Sequence, residues 1–458
     1  MLFHTWTFAL FFIILYPTYL IVKNTRLRLP LLLAASYFFY GCFNPLYPVL
    51  ILYSSLVDYT VVTAMERWGR NRIWLLISIV NNLGLLSFFK YGAFITDNAN
   101  ALFSWLGIPY IVPQPGILLP IGLSFYTFQS ITYTIEYYRG NIEREKNFLT
   151  YAAFVSFFPR LVAGPIERAK NLLPQLRTTP NLCLGDAADG ISLFVVGLFK
   201  KIALADYLAL YVDKVYAAPE QFQSPALILA IFLFCWQVYF DFSGYTDMAR
   251  GLARLMGIRL MLNFDNPYLA TSLGDFWRRW HISLSSWFKD YVYIPLGGNR
   301  KGRFNTYRNM FLTMVISGLW HGAAWTFVLW GVVHALGRCV TRELETTSFY
   351  QRKVPRIVKQ LLVFGFVTFA WIFFRAENIT DAWLIVTRIF ISGAANPYCP
   401  LLALGMTFAV WLYQFVCESR LRRILEHRAV RIAIVVLMIV YLAIFASSGE
   451  KPFIYQQF

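Results

Sequence analysis

Charge is scarce in this sequence. Asp, Glu, Lys and Arg make up 14% of its 458 residues against 58% hydrophobic side chains, and the mean hydropathy is +0.52. Soluble domains carry about a quarter charged residues, so a water-exposed globular fold is excluded. Internal repeats, low-complexity tracts and polar segments of domain size are absent as well. The six cysteines are scattered with no CxxC or paired spacing, which supports neither a metal site nor a disulfide framework. No Walker loop, GxGxxG, HExxH or GxSxG run occurs, so nucleotide hydrolysis and metalloprotease chemistry lose support. Histidine is also rare, with five in the chain.

Apolar runs fill the chain instead. They recur at residues 6–22, 46–65, 73–89, 224–242, 358–374, 400–417 and 431–447, each near the roughly 17–25 residues that a helix needs to cross the hydrocarbon. Strand-like alternation is missing, so the sequence predicts an all-α polytopic membrane protein rather than a barrel. The net charge of +17 sits in short clusters between these runs, at Lys23–Arg28, Arg67–Arg72, Arg139–Lys146, Arg250–Arg259, Arg278–Arg308, Arg338–Lys359 and Arg420–Arg431. That is the positive-inside pattern, not a nucleic-acid surface; it assigns those loops to the cytoplasm and both termini to the outside. The first run ends Leu-Ile-Val-Lys with no small-residue cleavage site, and reads as an uncleaved span.

The whole of 1–458 reads as one membrane domain surrounded by lipid, with about ten to twelve transmembrane or re-entrant helices. Residues 1–97 supply N-terminal helices, 119–340 a core, 355–447 C-terminal helices and 448–458 an extracytoplasmic aromatic tail. Residues 98–118 hold three prolines and predict a loop with an interfacial element. Residues 158–180 mix prolines, charges and apolar side chains too closely to span, and predict irregular backbone buried in protein. Residues 248–308 are too aromatic for a free loop and predict amphipathic or re-entrant helices. Residues 309–338 are too long for one span and should bend near Gly318 and Gly322, with His321 at the bend.

Two histidines, 40 residues apart, stand in tryptophan-rich contexts: His281 in FWRRWHISLSSWFKDY and His321 in SGLWHGAAW. An imidazole in hydrocarbon must be satisfied internally or be used. Around His321, small residues allow close approach while Trp320 and Trp325 can wall a cavity. A tunnel-lining general base and a histidine that bonds across helices weigh equally on spacing alone. His281 follows Trp280 and the basic pair Arg278 and Arg279. It reads either as part of a snorkelling interfacial segment or as an orienting group, with the arginines and Lys289 facing an anionic donor such as the phosphates of coenzyme A. Asp241 and Asp247 can orient a histidine or bind a cation, and a carboxylate here that simply pairs with Arg250 weighs equally. His334 reads as a packing histidine and His427 as part of a basic cluster.

Several long motifs then occur in order: LPIGLSFYTFQSITYTIEYYRG, FFPRLVAGPIERA, YFDFSGYTDMARGLARLMGI, the run from NFDNPYLATSLGDF to YIPLGGNR, and SGLWHGAAW. In these the chain resembles the membrane-bound O-acyltransferase family, in its bacterial alginate O-acetylation branch. The resemblance implies a ring of helices around a thinner centre, with a tunnel where a cytoplasmic acyl donor, acetyl-CoA, meets an acceptor. It implies His321 as the intramembrane catalytic histidine and His281 as the second; Trp280, Trp320, Trp325 and Asp247 are the candidate tunnel-lining residues beside them. The final SSGEKPFIYQQF resembles the tail of related acyl-export systems, in which a terminal tyrosine carries the acyl group. Tyr455 matches that tyrosine, while Gln456 stands where an aromatic is usual, and a plain interfacial aromatic anchor made by Phe453, Tyr455 and Phe458 is the other reading of the tail. The resemblance thus implies O-acetylation of an extracellular or periplasmic polysaccharide in the bacterial inner membrane, with an extracytoplasmic transferase as partner. D-alanyl transfer to teichoic acid, and non-catalytic transport of a polymer or lipid, are the alternatives.

Overall fold

The computed structural model describes residues 1–116, 119–445, 453 and 454. Among these the secondary structure is helical and contains no strand. Five helices are long and apolar enough to cross a membrane: Tyr47–Trp68, Arg72–Trp105, Ser224–Leu255, Arg356–Arg375 and Arg428–Phe445. The shorter apolar helices Trp6–Val22 and Leu401–Cys417 accompany them. Together these account for all seven apolar runs of the sequence. The chain divides into two compact units, one of Met1–Phe194 with Thr246–Met261, the other of Val195–Tyr245 with Leu262–Phe458.

In the first unit, polar side chains close the helix starts. Thr5 and Asn71 accept hydrogen bonds from Phe8 and Ile73 backbone N–H groups, which satisfies donors that a helix leaves unpaired. A polar knot joins two of the apolar helices. Ser78 Oγ donates to Asp58 Oδ1 at 2.5 Å and Asn82 Nδ2 to Asp58 Oδ2 at 2.9 Å, while Ser54 Oγ donates to Asn82 Oδ1 at 3.0 Å. A buried carboxylate is tolerated there because its lone pairs are filled.

The expected loop at 98–118 begins later than the sequence suggested. Helix persists through Trp105 because the prolines start only at Pro109 and Asn98 bonds back to the Phe94 carbonyl at 2.7 Å. Residues 158–168 are irregular and buried, as expected, whereas the rest of the stretch to 180 is mostly a short helix with several exposed residues. Phe158–Leu161 is a single turn and Ala169–Arg177 a short helix. Arg160, 1% exposed, donates to the Phe154 and Val155 carbonyls at 2.8 and 2.6 Å.

The second unit holds the first part of the helix Ser224–Leu255, up to Tyr245. In that helix's most apolar window 83% of residues are buried inside the protein, whereas in Arg428–Phe445, of hydropathy 2.3, none is. The same greasy composition therefore serves two purposes: an inner helix wrapped by protein and an outer one left to lipid. The stretch 248–308 contains short helices at Leu273–Arg279 and Ile282–Phe288. Gly302–His321 and Trp325–Leu344 form a hairpin that turns at residues 322–324, the bend expected from the glycines. The two helices cross in backbone contact. A Cβ on Gly331 would lie 2.5 Å from the Met314 carbonyl oxygen, and one on Gly318 would lie 2.2 Å from that of Phe327, so small residues set the crossing distance. Of the expected tail at 448–458, Phe453 and Ile454 are 1% and 7% exposed. Phe453 is thus packed in protein and is not an interfacial anchor. Tyr455 lies outside the described residues.

Candidate active site

The hairpin bend fixes His321. It is the last residue of Gly302–His321, and Gly322 follows in extended conformation. A Cβ on Gly322 would fall 2.0 Å from the Phe327 ring, which folds back over the bend. His321 is 4% exposed, with the rings of Trp320, Trp330 and Phe374 at centroid distances of 5.0, 5.1 and 5.3 Å. Trp320 is one wall of this cage, as the sequence predicts. Trp325 opens the returning helix and is 54% exposed, while Trp330, further along the same helix, is fully buried against His321.

His281 caps the start of Ile282–Phe288 in left-handed backbone, φ 44° and ψ 54°. A left-handed conformation is uncommon for a residue with a Cβ and persists when the surroundings hold it. Here Asn263 does so. Its carbonyl accepts from the Ile282 N–H at 2.9 Å, and its Oδ1 accepts from the Ser283 N–H at 3.1 Å and Oγ at 2.9 Å. The same Oδ1 lies 3.1 Å from His281 Nδ1. An oxygen already identified as an acceptor by a backbone N–H can only accept, so Nδ1 carries the ring proton and Nε2 holds the lone pair of the neutral imidazole. Burial pulls His281 from 6.5 down to about 3, which keeps it neutral. Asn263 was missed as a functional residue in sequence, although it opens the NFDNPY motif.

The two histidines share a neighbour. Trp320 lies 6.3 Å from His281 and 5.0 Å from His321, ring to ring. Phe242 packs edge-on to His281 at 4.6 Å. Trp280, 1% exposed, stands behind, against Trp371 at 5.2 Å and Phe264 at 5.0 Å. The result is a closely packed aromatic chamber wall around two buried imidazoles. His334 is fully buried against Trp277 and Trp330 at 5.1 and 4.6 Å, in keeping with a packing histidine.

The basic residues before His281 divide. Arg279 pairs with Asp275 at 3.2 Å and with Glu418, so its guanidinium is already occupied as a clamp between distant segments. Arg278 is 74% exposed, with a loose contact to Asp275 at 3.5 Å, and Lys289 is exposed. Asp247 belongs to the first unit, where it pairs with Arg250 at 3.6 Å. Asp241 instead meets Lys201 at 2.7 Å, a partner 40 positions away.

Residues 141–380 match the family described as MBOAT, membrane-bound O-acyltransferase family. "Probable alginate O-acetylase AlgI" of Pseudomonas putida is 41% identical over 398 residues, 86% of this chain and 81% of that one. "Peptidoglycan O-acetyltransferase" of Helicobacter pylori is 37% identical over 77% of this chain and 71% of its own. "Teichoic acid D-alanyltransferase" of Streptococcus thermophilus is 31% identical, over 50% of this chain and 58% of its own.

Proposed function

The chain belongs to the membrane-bound O-acyltransferase family, a multi-pass membrane O-acetyltransferase, and from that premise we propose that His321 and His281 catalyse transfer of acetyl from cytoplasmic acetyl-CoA to an acceptor destined for a polymer outside the inner membrane. The thioester is brought to the chamber from the basic side, with Arg278 and Lys289 meeting the donor's phosphates. Arg279 acts there through its ion pairs, by holding the segment in place. His321 takes the proton of the acceptor hydroxyl, whose oxygen attacks the acetyl carbon. The C–S bond breaks and coenzyme A leaves as a thiolate, which takes the proton held by His321. His281, its Nδ1 proton held on Asn263, presents Nε2 as an acceptor that orients the hydroxyl. Exclusion of water by the aromatic walls protects the thioester from hydrolysis.

The observation that carries this reading is the pair of buried imidazoles flanking one tryptophan, one of them fixed in tautomer by Asn263. In this reading ten to twelve helices ring the chamber, a tunnel joins its two sides and both termini lie outside. Tyr455 receives the acetyl group and passes it to an extracytoplasmic transferase, which acetylates a polysaccharide. Acetyl is favoured over D-alanyl because the alginate relative matches at higher identity over most of the chain. His321→Ala should abolish polymer acetylation while the folded protein remains in the membrane. Acetylation that persists contradicts the role. Tyr455→Phe removes one hydroxyl, and an unchanged product level rules out the relay.

A further inference from the structure

A second polar cluster lies buried apart from the two histidines. Gly244, on the inner helix Ser224–Leu255, lets the chain near Gly197 come so close that an added Cβ would sit 2.8 Å from the Gly197 carbonyl oxygen. That approach brings the π-helical turn Lys200–Ala205 against the helix and delivers Lys201 to Asp241. Lys201 Nζ lies 2.7 Å from Asp241 Oδ1 and 2.9 Å from Asp206 Oδ1. Lys201 and Asp241 are 1% and 2% exposed. Charges this deep are costly unless every lone pair and proton finds a partner.

The chain's own end completes the cluster. The Ile454 N–H donates to Asp241 Oδ2 at 2.7 Å, so the two oxygens of one carboxylate bind the lysine and the tail. The Phe453 ring lies with its centroid 4.5 Å from Lys201 Nζ and meets Tyr245 edge-on at 4.9 Å. A cation over an aromatic face and a charge-assisted backbone hydrogen bond are among the stronger short-range contacts a desolvated site can offer. Both are made by two consecutive residues that a plain membrane anchor would leave outside.

We propose that Lys201 and Asp241 form a receptor for the segment that carries Phe453 and Ile454, and that Asp241 is a positioning residue whose hold on that segment supports acyl transfer. The receptor stands on the contacts of Phe453 and Ile454; its consequence for transfer rests on the reading of Tyr455 as acyl carrier. Acyl transfer from a buried thioester demands placement to within about an ångström, and a free tail would lose most of that advantage.

The test uses full-length protein in lipid nanodiscs. Ile454→Pro deletes the N–H that Asp241 accepts and leaves Lys201 and Asp241 intact, while Ile454→Val keeps it. Hydrogen exchange of the C-terminal peptide reports docking, and transfer of labelled acetyl from acetyl-CoA to polymer reports function. Ile454→Pro should speed exchange by about tenfold or more and lower transfer by a similar factor at unchanged melting temperature, while Ile454→Val matches the parent. Exchange as slow as in the parent overturns the receptor. Fast exchange with undiminished transfer overturns the positioning role. In that last case Tyr455→Phe separates the causes: if it too is fully active the carrier reading has failed, and if it is inactive only the positioning by Asp241 has.

Discussion

Replacing Asn263 by alanine removes one oxygen on which three donors converge: His281 Nδ1, the Ser283 N–H and Ser283 Oγ. Leaving buried donors unmatched costs about 1–3 kcal/mol of stability. The catalytic cost is separate. Without its acceptor, the Nδ1 proton is no longer favoured over Nε2, and the tautomer with Nε2 protonated cannot accept from a hydroxyl. At about 1.4 kcal/mol per tenfold, loss of one such orienting bond lowers kcat by about 10- to 100-fold. KM for the donor should change little, because Asn263 does not contact it in this mechanism. Asn263→Asp retains an acceptor at the same place and adds a negative charge that favours protonated imidazole. It should recover much of the lost rate while shifting the acid limb of kcat upward. The assay is labelled acetyl transfer in membranes, normalised to folded protein by fluorescence-detected gel filtration. A wild-type kcat in folded Asn263→Ala would refute the tautomer argument.

Three further outcomes follow from the geometry. The folded pKa of His281 lies near 3 against 6.5, so its contribution to stability is complete above about 6.5 and is lost as pH falls toward 3. Melting temperature should therefore decline with acidity in that window, and a decline equally steep in His281→Gln would contradict the assignment. Gly331→Ala places a methyl 2.5 Å from the Met314 carbonyl and should cost about 1–3 kcal/mol by prising the hairpin apart, read by melting in nanodiscs together with loss of transfer. Arg278→Ala and Lys289→Ala should each raise KM for acetyl-CoA a few-fold, by roughly 1 kcal/mol of lost charge interaction, without lowering kcat; unchanged KM in both removes them from the donor path.

The membrane character was legible in composition and run length alone, and each of the seven apolar runs became a helix. The bend at His321 was legible too, because glycines punctuate a run too long to cross once. What the sequence hides is which neighbours in space are distant in chain. Trp330 and Phe374 reach His321 through helix packing that hydropathy does not encode, whereas Trp325, closer in sequence, faces outward. Arg279 looked like a ligand for an anion because Glu418, its partner, lies 139 residues away. The inner helix Ser224–Leu255 and the outer helix Arg428–Phe445 both read as apolar spans to a hydropathy scan, at 1.8 and 2.3, and packing sets them apart. The pairing of Lys201 with Asp241 was likewise invisible, since a basic residue at the end of an apolar run reads as an ordinary membrane-edge charge.

The most direct test of the central claim is single-turnover reaction of the purified protein in nanodiscs with acetyl-CoA labelled in the acetyl group, following release of free coenzyme A and the fate of the label. The account predicts release in the wild-type protein, with label appearing on Tyr455 or on added acceptor, and neither release nor labelling in folded His321→Ala. Coenzyme A release and acetyl transfer at the wild-type rate in His321→Ala would contradict it.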